Sequence, residues 1–174
     1  MEFQAFHELF PDVAQREVRS IEIPDPGTPL PPATYQFVEQ YCNQPGCDCR
    51  RVMFSVFSSL TQQFEAVVAW GWDSLDYYRR WLRFDDPAVV EEMQGPVLNL
   101  ASAQGPLAGA ILSLTRDVLL KDPEYVERIK RHYRMFRERI DEGQPVHVGR
   151  RPSLATMPSP KMRAAQRRRR RRSR

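Results

Sequence analysis

The sequence predicts an α+β domain, and three observations carry that reading. Apolar residues alternate with a period of two from Tyr35 to Trp72, recur at helical spacing from Ser74 to Gly143, and leave all three cysteines in the gap between the first two alternating runs. A period of two buries one face of a strand and a recurrence at three and four buries one stripe of a helix, so the change of period marks where a sheet ends and its covering helices begin. The expected body is residues 1–143, a sheet of three or four antiparallel strands around a 35–57 hairpin, covered by about four helices from about 74 to 142. The alternative arrangement is two loosely joined halves that separate near residue 73.

The elements follow in order. Residues 1–15 form an aromatic lead-in, with Phe3, Phe6 and Leu9 suited to one docked helical turn. Val18, Ile21 and Ile23 fit a short strand that Pro24 stops, and five prolines between Pro24 and Pro32 make a stiff connector. Tyr35, Phe37, Glu39 and Tyr41 share one side of a strand, Val52, Phe54 and Val56 one side of the next, and Phe64, Ala66, Val68, Trp70 and Trp72 one side of a third. Asp73 or Ser74 caps a first helix with Arg79, Arg80 and Arg83 on its outer side. Asp86-Pro87 opens a second helix that Gly95 stops, Gly105-Pro106 a third, and Asp122-Pro123 a fourth with Val126, Ile129, Tyr133, Phe136 and Ile140 inward, ended by Gly143.

With 174 residues and 41% hydrophobic composition the chain can build one core. The first residues lack a basic start followed by an apolar run, so no signal peptide is expected and the cytoplasm is the expected compartment. Gly95 to Thr115 carries no charge over 21 residues, but Asn99, Ser102, Gln104 and the Gly105-Pro106 break make it a buried helix instead of a membrane span. The net charge of +4 joins two opposite parts. Residues 150–174 hold ten arginines, one lysine and no acid, for +11, and the remainder sets 15 basic against 22 acidic residues, for −7. Residues 144–174, proline-rich and poor in large apolar groups, are expected to be a disordered basic tail from about residue 145.

Cys42-Asn-Gln-Pro-Gly-Cys47-Asp-Cys49 reads as a metal knuckle. Pro45 supplies the fixed φ and Gly46 the positive φ of a type II turn, which folds Cys42 back toward Cys47 and Cys49. Zinc takes four tetrahedral ligands, and thiolates on both sides of a tight turn supply three of them. His7 and His147 lie near the ends of the chain, so His132, inside the fourth helix, is the expected fourth ligand. Asp48 is expected to point away from the metal. The two ordinary alternatives are buried unreactive thiols and a disulfide that strands one cysteine; clustering opposes the first and the missing secretory signal the second.

Tyr41-Cys42-Asn-Gln-Pro-Gly-Cys47-Asp-Cys49-Arg50-Arg51-Val52 resembles a group of uncharacterised bacterial proteins with a Y-C-x4-C-D-C-R-R motif leading into a strand. It is also similar to the SEC-C type of zinc knuckle, a resemblance that implies metal-dependent contact with protein or ribosome, although that motif pairs two C-x-C elements and one occurs here.

Function is then expected to be binding. No G-x-S-x-G, Walker or dinucleotide fingerprint occurs. Trp70, Trp72, Tyr77, Tyr78 and Trp81 beside Arg79, Arg80 and Arg83 match a base-stacking groove in composition, but aromatic residues at strand and helix period are ordinary core. Arg50 and Arg51 suit a phosphate, the carbonyls around the thiolates, or solvent. Arg163, Arg167, Arg168, Arg169, Arg170, Arg171, Arg172 and Arg174 are the candidate contacts to RNA, DNA or another polyanion. The expectation is therefore a non-enzymatic, zinc-stabilised module with a protein partner and a nucleic-acid-binding tail. A zinc hydrolase or a thiol redox protein is the alternative.

Overall fold

The computed structural model describes residues 2–24 and 27–143. The arginine residues from Arg163 to Arg174, and the disorder expected from about residue 145, lie outside the described residues.

Among the described residues, six strands form one antiparallel sheet. β1 (Phe3–Ala5) and β2 (Arg19–Ile23) follow each other along one edge of β3 (Ala33–Cys42); β4 (Arg51–Ser58), β5 (Gln63–Gly71) and β6 (Val97–Leu98) extend from the other edge. The sheet is therefore larger than the three or four strands expected, because β1 and β6 are added. The lead-in is β1 followed by two short helices, α1 (Phe6–Leu9) and α2 (Pro11–Glu17), instead of a single turn. The four expected helices are α3 (Leu75–Leu82), α4 (Pro87–Gln94), α5 (Ala108–Asp117) and α6 (Pro123–Asp141), with a 3-10 turn at Leu119–Lys121 between the last two.

The alternation in β3 and β4 fixes the register. Tyr35, Phe37 and Glu39 oppose Ser58, Val56 and Phe54, and Val56, Phe54 and Val52 oppose Ala66, Val68 and Trp70 across the next pair. A slip of one residue would turn this whole apolar set to the other face, so burial locks the pairing. A β-bulge between Val56 and Phe57 breaks the alternation, sets Phe64 against Phe57 and leaves Phe64 58% exposed, off the face that its spacing suggested.

α6 and α5 cover the apolar face. Asp122 accepts hydrogen bonds from the N–H groups of Glu124 at 3.0 Å and Tyr125 at 3.2 Å, and Pro123 starts the helix with its φ already set. Tyr125, Ile129, Tyr133, Phe136 and Ile140 then bury against β3 and β4, with Tyr125 taking the inward position expected for Val126. Tyr41 meets Phe136 with ring centroids 5.5 Å apart, and Phe54 meets Tyr125 at 6.2 Å. Sheet and helices share one hydrophobic cluster that also includes Phe6 and Ile111. α3 and α4 lie at one end of the opposite face, where Val90 is buried and Arg51 reaches Met93 Sδ at 3.1 Å and Glu92 O at 3.3 Å.

The uncharged run from Gly95 becomes β6, a connecting loop and the first part of α5. Among the described residues, no helix is long and apolar enough to cross a membrane.

Candidate metal centre

Cys42 ends β3 and Arg51 begins β4, so the cysteine loop is the connection of the central hairpin. The sequence turn forms as its residues require: Cys47 N donates to Gln44 O at 3.2 Å and Gly46 sits at φ +70°. An added Cβ at Gly46 would meet nothing within 4 Å, so glycine is required there for its backbone conformation and not for space. The turn brings the three thiols together. The Sγ atoms of Cys42, Cys47 and Cys49 all lie within 4.8 Å of one another, and none forms a disulfide. A tetrahedral metal with metal–sulfur bonds of about 2.3 Å asks for sulfur separations of about 3.8 Å, within a small contraction of this cluster. Cys42 and Cys49 are fully buried and Cys47 is partly exposed. Burial, reinforced by the neighbouring sulfurs, pushes the Cys49 thiol up to about 12, and burial with a contact to Cys42 raises Cys47 as well. A metal ion reverses that preference because it binds the thiolate and expels the proton.

The loop is braced by side chains from two distant helices, α6 and α3. Arg137 of α6, 8% exposed, donates from Nη1 to Cys42 O at 2.9 Å and Gln44 O at 3.0 Å, and its Nη2 pairs with Asp141. Asp141 in turn accepts from Gly46 N at 2.8 Å. Tyr77 of α3 donates to Asp48 O, and Tyr78 to Arg50 O at 2.8 Å. Gly71 makes room for Tyr78, since a Cβ there would fall 2.1 Å from the Tyr78 hydroxyl oxygen. Tyr133 of α6 accepts from Arg50 N at 3.3 Å.

Arg50 itself occupies the left-handed region at φ +47°, a conformation that costs a non-glycine residue of order 1 kcal/mol or more and persists only where its surroundings impose it. Its guanidinium binds Asp48 at 2.9 Å and Asp73 at 2.8 Å, and lies 4.4 Å above the Tyr77 ring. Arg50 is thus neutralised and Arg51 is 7% exposed, so the pair is neither a solvated surface pair nor a donor set to the carbonyls around the sulfurs. Asp48 stands away from the thiols, as expected, and the Arg50 guanidinium holds its carboxyl below the usual range. The aromatic cluster divides. Trp70 and Trp72 pack on the core, with Trp72 against Tyr133 at 4.9 Å, while Tyr77 and Tyr78 fasten the loop.

His132 requires a correction. It does not join the cysteines: Nδ1 lies 2.7 Å from Glu39 Oε2 and Nε2 3.1 Å from Glu17 Oε2, so both nitrogens are engaged and neither lone pair is free for a metal. Phe6 stacks on the ring at 4.3 Å. Glu39 is 1% exposed, and its Oε2 also receives the Tyr41 hydroxyl at 3.0 Å. The error is one of helical phase. α6 does pass the loop, but each residue turns the helix by about 100°, so Tyr133, Arg137 and Asp141 face the loop and His132 faces β3 and α1.

A cavity of about 590 Å³ adjoins the loop, bounded by Cys47 and Asp48 on one side and Arg137, Glu138, Asp141 and Glu142 at the end of α6 on the other. It exposes the Cys47 side of the cluster to the last turn of the helix.

Arg137→Ala removes charge-assisted hydrogen bonds to Cys42 O and Gln44 O together with the pairing to Asp141, so it should cost about 2–4 kcal/mol in urea unfolding and raise amide exchange at Gly46. Arg134→Ala, exposed on the same helix, should stay within about 0.5 kcal/mol of the unaltered chain.

Compared with family models, with curated proteins and with solved structures, the chain has no match. What the loop does is therefore read from its own chemistry.

Proposed function

We propose that this chain is a non-enzymatic binding module stabilised by one zinc ion held through Cys42, Cys47 and Cys49. The observation that carries the reading is the convergence of three sulfurs within 4.8 Å inside a loop held by Arg137, Asp141 and Tyr78. Soft thiolates favour zinc over hard cations, and one tight tripod suits a single tetrahedral ion. The resemblance of the loop to the Y-C-x4-C-D-C-R-R motif, and more distantly to SEC-C knuckles, points the same way and suggests a protein partner. A cytoplasmic setting suits three thiols that must stay reduced.

The enzymatic alternatives fit less well. A redox thiol needs an exposed sulfur that is easily ionised, whereas Cys42 and Cys49 are fully buried and burial raises the partly exposed Cys47 as well as Cys49. A zinc hydrolase needs an acidic bound water and a free general base. Three thiolates donate enough charge to make such a water less acidic, and the nearby Asp48 is spent on Arg50.

Elemental analysis of purified protein should give one equivalent of zinc, with the three thiols slow toward a thiol reagent until a chelator is added. Less than about half an equivalent of any metal, with all thiols freely titratable in the folded protein, overturns the reading.

The tail reading rests on sequence alone. Eight guanidinium groups lie in the twelve residues from Arg163 to Arg174, and each neutralised phosphate contributes a slope of roughly −0.7 to −0.9 to the salt dependence of nucleic-acid binding. The full chain should bind single-stranded RNA without sequence preference, and lose that binding in high salt or on deletion of residues 161–174. Equal retention of the full and shortened chains at low salt would rule the tail out.

A further inference from the structure

A divalent metal held by three thiolates changes the charge inside the loop. The ion brings two positive charges and the sulfurs three negative ones, so the cluster carries one negative charge, and Cys42 and Cys49 are fully buried. A buried charge is costly unless one of opposite sign lies beside it. Two arginines at the loop are already neutralised, Arg50 by Asp48 and Asp73, and Arg137 by Asp141. Arg51 is not. It is 7% exposed, donates from Nη1 to Met93 Sδ at 3.1 Å and from Nη2 to Glu92 O at 3.3 Å, both uncharged acceptors, and its Nε is buried without a partner. Among the described residues, no carboxylate lies within ion-pair distance of its guanidinium. Resting on the zinc reading above, we infer that Arg51 is the buried counter-cation of the metal–thiolate cluster, the group that makes the loaded loop electrically neutral.

The placement follows from the hairpin. Arg51 begins β4 two residues after Cys49 and pairs with Gly71 of β5. Strand alternation puts its side chain on the face opposite Val52, Phe54 and the core, where α4 supplies Met93 and the Glu92 carbonyl. Burial disfavours the positive charge there, and Cys49 opposes that effect more strongly than Tyr78 or Glu92 does. The backbone acts in the same sense: the Arg51 N–H favours an ionised Cys49 sulfur, and the Cys49 N–H an ionised Cys47 sulfur. One residue thus addresses Cys49 twice, through a fixed N–H dipole and through a full charge. In the metal-free protein, with the thiols protonated, the same guanidinium is a buried cation facing no anion, and it opposes folding. With metal bound, it faces a cluster of opposite charge and holds the ion. This reversal of sign separates a counter-cation from a residue that only packs.

The test compares the full chain with Arg51→Met, which keeps an unbranched side chain but no charge, and Arg51→Lys, which keeps the charge. Zn²⁺ affinity is measured by chelator competition, and urea unfolding is followed with one equivalent of Zn²⁺ and with chelator. Arg51→Met should bind zinc at least about 10-fold more weakly, the loss that groups behind the ligands bring, and Arg51→Lys should recover most of that affinity. In chelator, Arg51→Met should unfold at the same or a higher urea concentration than the unaltered chain, and with zinc at a lower one. Unchanged zinc affinity in Arg51→Met, or an affinity in Arg51→Lys as low as in Arg51→Met, overturns the assignment while leaving the zinc reading intact. So does an Arg51→Met chain that is as destabilised in chelator as with zinc, or that fails to fold in chelator, because Arg51 would then be a packing residue. No zinc bound by the unaltered chain overturns both.

Discussion

The connection between β3 and β4 carries backbone groups that no strand pairs, and it holds three sulfurs within 4.8 Å of one another. An exposed loop of this length, with a glycine at its tip and Arg50 in the left-handed region, would sample many conformations if left to itself. The surrounding fold removes that freedom: α6 holds the first half through Arg137 and Asp141, and α3 holds the second half through Tyr77 and Tyr78. α6 is in place because its apolar residues are buried against the sheet, and α3 because it packs against α4. The position of the sulfurs therefore depends on the whole core, and a metal bound there reports on the packing of α6 against β3.

The same helix carries a second buried polar network. His132 between Glu39 and Glu17, with Tyr41 joined to Glu39 and to Ile129 O, fastens α6 to the centre of β3 and to α2. Breaking one partner of such a network leaves a desolvated polar group unpaired, so its geometry is exacting. Glu39 Oε1 and the Tyr125 hydroxyl are buried without protein partners, and Glu39 is among the charges that raise Tyr125, after burial itself. α6 is thus registered twice, through His132 on one side and through Tyr133, Arg137 and Asp141 on the next, 100° apart.

Much of this was legible in the residues. Capping chemistry is local, so Ser74, Asp86 and Asp122 placed three helix starts, and Gly95 one stop. Alternation in Tyr35 to Tyr41 and Val52 to Val56 gave the central pair and the side it buries. β1 and β6 were not legible, because strands of three and two residues are too short for a period to show. Nor did Phe64 announce the bulge that turns it outward. At the cysteine cluster the three thiols and the turn were visible, since turn chemistry is written in adjacent residues. The braces were not. Arg137, Asp141, Tyr77, Tyr78 and Tyr133 lie far from the loop in sequence, and their contacts depend on how helices pack; a phase error of one residue was enough to put His132 where Tyr133 stands.

Amide hydrogen exchange, measured residue by residue with zinc bound and after chelation, addresses the central claim that a metal completes a loop already positioned by the core. The account predicts that chelation speeds exchange at Gly46, Cys47, Asp48 and Cys49 while the amides of β3, β4 and β5 keep their protection. Identical exchange through the loop in both states would contradict it.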